Sequence, residues 1–247
     1  MQLHRLTTVA VCLGFVAAAC SGSDTAETTA AITTSATTQP TAPTQIEPTT
    51  TTSSATTTNV PAFSSDDALA VTDAYFEAYN AGDVDAVLAL FEPDATFSGN
   101  FGSLTRADWE ELLVWNAAQG TALSPPKCTV TAEVSGVAVT VSCPHNNLDA
   151  LVQAVDSPPV PINLTLTVAP DGISDWVSIF GQPNFTTVGS PFDTWMTTNH
   201  PEDLEAAGFG NWTTVDEAEE NGILTAQYAA EWATYLNDNG CGYSDGC

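Results

Sequence analysis

The sequence predicts an α+β domain, an antiparallel sheet packed on helices, followed by a C-terminal helical extension. Three observations carry this. Residues 71–97 pass from helical apolar spacing, through an Asn-Ala-Gly-Asp hinge, to a second helical spacing and the start of a strand. Three later runs, 128–143, 162–168 and 173–180, are rich in alternating apolar residues and are bounded by turn-forming residues. Residues 214–236 then return to helical spacing over one long stretch.

Ser64 or Ser65 is placed to cap the first helix, with Asp66 and Asp67 at its positive end. Ala68, Val71, Tyr75, Ala78 and Tyr79 recur on one face, with Leu69 and Phe76 beside them. Gly82 stops this helix, since it tolerates the left-handed turn. Asp83 caps the next helix, whose apolar side is Val84, Val87, Leu88 and Phe91, and Pro93 ends it. A strand is expected from Ala95. Thr105 and Asp108 have the spacing of a capping box. The helix they open buries Trp109, Leu112 and Leu113, carries Trp115 on its flank and stops at Gly120.

A hairpin follows. A two-residue turn at Ser135-Gly136 sets 134 opposite 137, 132 opposite 139, 130 opposite 141 and 128 opposite 143. The apolar faces then coincide and Cys128 meets Cys143 at bridging distance. Of the other cysteines, Cys12 and Cys20 lie near the N-terminus, so Cys241 pairs with Cys247 by default. No Cys-x-x-Cys spacing favours a metal instead.

Leu148, Leu151, Val152 and Val155 form a short helix. Ile162, Leu164, Leu166 and Val168 share one face of the next strand, and residues 169–172 turn it back. The returning strand is apolar on both sides, Val177 and Ile179 on one and Trp176 and Phe180 on the other. That predicts a central strand covered twice, with the extension as the candidate second cover. In the extension, Phe192, Trp195 and Met196 begin a short helix. Ile223, Leu224, Tyr228, Trp232, Tyr235 and Leu236 stripe the long one. It is too short to build a core alone and is expected to fold back on the domain.

Residues 1–20 have a basic start, an apolar run too short to span a bilayer, and small residues at the end, as a secretory signal does. Val16-Ala17-Ala18-Ala19-Cys20 resembles a bacterial lipobox, with Ala17 where a larger aliphatic residue is usual. The resemblance implies acylation of Cys20 and an extracytoplasmic protein held at the membrane by lipid alone. The alternative is a secreted protein cut near Cys20. Residues 21–62 form a Thr-rich tether; 16 of residues 21–60 are Thr, and no hydrophobic period occurs. As a coil it reaches about 35 Å. The domain proper then spans 63–188, the helical extension 189–240 and a disulfide-closed tail 241–247.

The chain has 30 acidic against 3 basic residues, a formal net charge of −27. Such a surface repels phosphate backbones, which excludes nucleic acid as a partner. It serves solubility, or it attracts cations; no ligand cluster in the sequence selects the second, and no metal or cofactor is expected.

Helix, Asn80-Ala81-Gly82-Asp83 hinge, helix, strand, third helix and antiparallel hairpins resemble the SnoaL-like branch of the nuclear transport factor 2-like superfamily. Tyr75, residues 87–91, Asp94-Ala95-Thr96-Phe97 and Asp171-Gly172-Ile173 also carry the likeness, over 63–188. The tail, with Trp195 and His200-Pro201-Glu202-Asp203, is similar to tails on actinobacterial members. The resemblance implies a cone: a strongly bent sheet wrapped on helices, with a pocket between. Ketosteroid isomerases of this superfamily use a first-helix tyrosine as oxyanion donor, and Tyr75 stands at the matching place. Their base and protonated acid would fall near Gly99 and Leu164, which move no proton. The resemblance therefore implies the fold without that isomerisation.

Tyr75, Tyr79, Trp115 and Trp176 are the candidates to line a pocket; the competing reading makes them core aromatics. His145 and His200 read as solvated loop residues, and Asp94 and Asp175 as surface or turn carboxylates without an acid–base mate. The function these features favour is non-catalytic binding of a small apolar ligand or a partner protein at the cell surface. An isomerase- or hydrolase-type enzyme with its base elsewhere, and a purely structural assembly domain, are the alternatives; a homodimer stays open.

Overall fold

The computed structural model describes residues 63–244, apart from 101, 182, 183, 205, 208, 209 and 211. The signal segment, Cys20, the tether and Cys247 lie outside the described residues. No described helix is long and apolar enough to cross a membrane.

The elements are α1 (Ser65–Asn80), α2 (Val84–Ala89), β1 (Phe91–Gly99), β2 (Gly102–Leu104), α3 (Arg106–Ala118), β3 (Ala122–Leu123), β4 (Thr129–Val134), β5 (Ala138–Leu148), α4 (Ala150–Ala154), β6 (Val160–Ala169), β7 (Gly172–Phe180), α5 (Asn184–Asn199) and α6 (Val215–Asn239). This is the expected α+β class: a curved, open sheet on helices, with a C-terminal helical extension. The sheet order is β2-β1-β7-β6-β5-β3, with β4 also paired to β5. One pairing departs from the antiparallel expectation. β1 runs parallel to β7, with Phe97 beside Trp176 and Gly99 beside Ser178. These partners lie far apart in sequence, so local turn chemistry does not reveal their direction. A Cβ at Gly99 would stand 2.4 Å from the Ser178 carbonyl oxygen, so only glycine lets the two backbones approach there.

The helix starts follow their caps. Ser64 and Asp67 form a reciprocal capping box on α1, and Thr105 and Asp108 form another on α3. Gly82, at φ +67°, ends the α1 turn. Helix α2 stops before Phe91, which instead opens β1, so Pro93 lies within the strand. It is tolerated because the β1–β7 register breaks between Phe91 and Thr96, leaving no ladder bond for its missing N–H. Arg106 reaches back to this break. Its guanidinium donates to the carbonyls of Leu88 (2.9 Å) and Glu92 (3.0 Å).

The hairpin forms with an altered turn. Val134 pairs with Ala138, not Val137, across a three-residue loop. A bulge between Val130 and Ala132 removes the slip, so Val130 meets Val141 as predicted and Cys128 is bonded to Cys143. The outer strand stays exposed, with Val134 and Val137 both 60% accessible. Cys241 is also a disulfide cysteine, but its expected partner, Cys247, is outside the described residues.

The main core joins Ala68, Tyr75 and Phe76 of α1 and Trp109 and Leu113 of α3 to the inward residues of β5, β6 and β7. β7 is central in order, as expected, but is covered on one face only. Ile179 is 48% exposed, because the extension packs on α3 and α4 rather than on the sheet's outer face. The extension's own cluster, Val188, Phe192, Trp195, Met196, Ala207, Tyr228, Trp232 and Leu236, borrows Leu151 of α4 and Val155, which caps its C-terminus. Ile223 is not part of the buried stripe of α6; Asn221, Gly222 and Thr225 are.

Candidate functional site

Between α1, α3 and the concave side of the sheet lies a cavity of about 60 Å³, room for a few waters or part of a small organic molecule. All four pocket candidates line it: Tyr75 and Tyr79 from consecutive turns of α1, Trp115 from α3 and Trp176 from β7. Trp109, Leu123, Ile162, Leu164 and Phe180 add apolar wall. Leu164, where the isomerase resemblance would place an acid, contributes carbon only. Gly99 is occupied with the β1–β7 contact and is absent from the lining.

The structure corrects the reading of His145. It is on β5, not in a solvated loop; it is 8% exposed and lines the cavity. The inward alternation Val139, Val141, Cys143, His145, Asn147 runs straight through Pro144. Pro144 fits because its carbonyl accepts from the Lys127 N–H at 3.3 Å, beyond the end of β4. A strand residue's N and C=O face the same neighbour, so the missing N–H falls in the gap before β3. The period-two pattern was the available signal; the proline masked it.

His145 Nδ1 lies 2.9 Å from the Cys143 carbonyl oxygen. A carbonyl only accepts, so Nδ1 carries the hydrogen and the neutral ring's lone pair is on Nε2. Burial pushes the imidazole pKa down, partly opposed by that hydrogen bond, so the ring is held neutral. Its edge packs on Phe76, centroids 5.1 Å apart.

Asp149 also lines the cavity. It caps α4, with Oδ1 accepting from the Val152 N–H at 2.9 Å. Burial pushes its pKa up, against the lowering effect of the backbone donors Val152 and Leu151. Tyr75 and Tyr79 are held well above the ordinary phenol range by burial, Tyr79 further by Tyr75 and Asp149. Tyr75 is also engaged: Trp176 Nε1 donates to its hydroxyl oxygen at 3.2 Å. The arrangement gathers a neutral imidazole, a carboxyl with a raised pKa and two phenols beside three indoles. One donor is unsatisfied: Trp109 Nε1–H is buried with no partner among the described residues.

The remaining sequence candidates lie elsewhere. Asp175 accepts from Thr96 across β1–β7, and Asp94 is exposed on β1. His200 Nε2 is 2.9 Å from Glu231, and its ring packs on Trp195 and Tyr228. One ligand-type atom from each of His200, Glu202 and Asp203 lies within 4.8 Å of the others. The Asp203 carboxylate already accepts from the Tyr228 hydroxyl.

No family model and no curated protein sequence matches the chain. Solved structures with similar backbones include a candidate polyketide cyclase from Xanthomonas campestris, 22% identical, covering 46% of this chain and 90% of that one, TM-score 0.37. Another is SalBIII, an epoxide hydrolase/cyclase-like enzyme of pyran ring formation in salinomycin, 20% identical, covering 47% and 92%, TM-score 0.38. A third is an NTF2-like protein of unknown function from Cytophaga hutchinsonii, 13% identical, covering 48% and 91%, TM-score 0.34.

Proposed function

We propose that this chain is an extracytoplasmic member of the SnoaL-like branch, anchored through Cys20, whose cavity binds one small, flat, mostly apolar molecule. The observation that carries the reading is the cavity walled by the flat side chains of Trp109, Trp115 and Trp176. The open cavity disfavours the purely structural alternative, which needs the cone filled.

N-phenyl-1-naphthylamine, a neutral aromatic probe larger than the cavity, tests the reading by fluorescence titration of the full chain, with one ring system entering and the rest staying in the opening. Saturable one-to-one binding, lost in Ser178→Leu, which extends a buried cavity-lining side chain, is the expected result. No binding, together with native mass spectrometry that finds no co-purifying molecule, would sink it. The anchor is tested separately: Cys20→Ser should release the protein from membranes and remove the acyl mass.

A second reading has its own support. His145, Asp149 and two tyrosines line the same cavity, a proton acceptor and proton donors around one bound molecule. On that reading His145 Nε2 is the base. The wild-type chain, but not His145→Gln, should then incorporate deuterium from D2O into a co-purified ligand. Equal incorporation by both would dismiss His145 as the base.

A further inference from the structure

We propose that the C-terminal extension acts on the cavity from outside it, and that Asn221 of α6 is a positioning residue which tunes what the cavity accepts by holding Trp115. The binding consequence rests on the ligand reading above; the positioning itself does not.

Trp115 has two sides. One lines the cavity, and the other is held from outside by the extension. Its Nε1–H donates to Asn221 Oδ1 at 2.6 Å, and the two residues are only 9% and 4% exposed. Asn221 is itself fixed. Its Nδ2 donates to the Ala206 carbonyl, and its backbone carbonyl accepts from Thr225 Oγ1 at 2.9 Å. The Trp115 ring also stacks on Trp212, centroids 5.5 Å apart and planes 25° off parallel. Gly222 brings the α6 backbone close, since a Cβ there would lie 2.6 Å from the Trp115 carbonyl oxygen.

These contacts give Asn221 a particular job. An indole has two side-chain torsions, and its rotamer decides whether a large flat ring closes or opens one wall of a narrow cavity. Nothing in the cavity needs to set that rotamer, because a buried hydrogen bond from α6 does. Losing the acceptor leaves the indole N–H buried and unpaired, which favours a different ring position. The extension therefore acts on the cavity through one side chain, without contributing an atom of α6 to its lining.

The test uses the full chain with 15N-labelled indoles. Asn221→Leu has similar volume and neither hydrogen-bonding group; Asn221→Asp, held protonated by burial, keeps an acceptor for Trp115 and an O–H for the Ala206 carbonyl. In Asn221→Leu the Trp115 indole resonance should shift, and those of Trp109 and Trp176, which line the same cavity, should shift with it. Affinity for N-phenyl-1-naphthylamine should fall about tenfold, the scale of one buried hydrogen bond. Asn221→Asp should stay within about threefold of wild type, below half the free energy of such a bond. Trp115→Phe should show no further loss when Asn221→Leu is added, since the partner N–H is already gone.

A Trp115 resonance that moves while Trp109, Trp176 and the probe affinity stay at wild-type values would overturn the proposal and leave the extension as a brace. If Asn221→Leu fails to fold, Asn221→Ala, which also removes the acceptor, decides through the same resonances and affinity. If the wild type binds no probe, the ligand reading falls, while the Trp109 and Trp176 resonances still decide the positioning.

Discussion

Two helix glycines should respond to alanine in opposite directions. In a helix interior, Gly→Ala is worth about 1 kcal/mol in favour of the fold through backbone entropy. At Gly189 in α5, an added Cβ meets no described atom within 4 Å, so Gly189→Ala should stabilise by about 0.5–1 kcal/mol. At Gly222 in α6, the same Cβ would stand 2.6 Å from the Trp115 carbonyl oxygen, 2.7 Å from Ala118 Cβ and 3.3 Å from the Gln119 nitrogen. These are backbone or backbone-fixed atoms of α3, so no side chain can swing away. Ordinary contact needs α3 and α6 to separate by about 1 Å, and overpacking of this kind costs about 1–3 kcal/mol. The short contacts argue for the upper half of that range. Net of the entropy gain, Gly222→Ala should destabilise by about 1–2 kcal/mol. Urea denaturation of both variants measures this as a change in midpoint at constant slope. A Gly222→Ala midpoint at or above wild type would refute the close α3–α6 packing on which the cavity wall depends.

Replacing Cys128 and Cys143 by Ala should cost about 3 kcal/mol, the chain-entropy value for a loop of this length, and reducing agent should cost the wild type at least as much, since it also opens the Cys241 disulfide. Arg106→Ala should cost about 1–3 kcal/mol in the same urea assay, because two part-buried carbonyls lose a charged donor; Arg106→Lys should recover only part, since one ammonium does not fork to both. Burial depresses the His145 pKa, so the unfolded chain takes up its proton first. Its stability contribution is present above about pH 6.5 and lost as pH falls from there through the depressed folded value. Asp149 has the opposite sign. Its pKa is raised, so its contribution is full below its ordinary value of 3.8 and lost as pH rises through the folded value. Urea midpoints against pH should lose the first slope in His145→Gln and the second in Asp149→Asn, which keeps the α4 cap.

The parts of the fold legible in the sequence were those set by local chemistry. The α1 cap, narrowed to Ser64 or Ser65, the capping box at Thr105, the Gly82 turn and the inward run of Ile162, Leu164, Leu166 and Val168 depend on residues within a few positions of each other. The Cys128 pairing was legible for a subtler reason. Two cysteines that had to meet fixed the far end of the hairpin, and the bulge near Thr131 absorbed the error at the turn. What sequence left hidden was set by distant partners. The parallel β1–β7 pairing, the bare outer face of Ile179 and the burial of polar Asn221 and Thr225 on α6 each depend on a segment far along the chain. Of the cavity, the aromatic residues were legible because bulky residues on inward faces must line something. His145 and Asp149 were not: Pro144 hid one strand's continuation, and Asp149 is read most simply as the helix cap it also is.

Position by position, the isomerase resemblance is empty of proton chemistry at Gly99 and Leu164, yet the cavity is not. On the sheet, Cys143 of β5 lies beside Leu164 of β6, and His145 lies two residues further along β5, beside Ile162. Residues two apart on a strand share a face. The imidazole thus projects from the same concave side as Leu164, one strand over and one pleat along. A group moved by that step would still reach a ligand held against Trp176, because neighbouring strands are about 5 Å apart. Losing an acid at one strand position therefore excludes one known reaction geometry, not acid–base chemistry within the cone. For the proposed ligand, the question becomes whether it presents an acidic hydrogen to His145 or only a flat face to the three indoles. His145→Gln separates the two, because it should abolish proton exchange in the first case and leave both exchange and binding unchanged in the second.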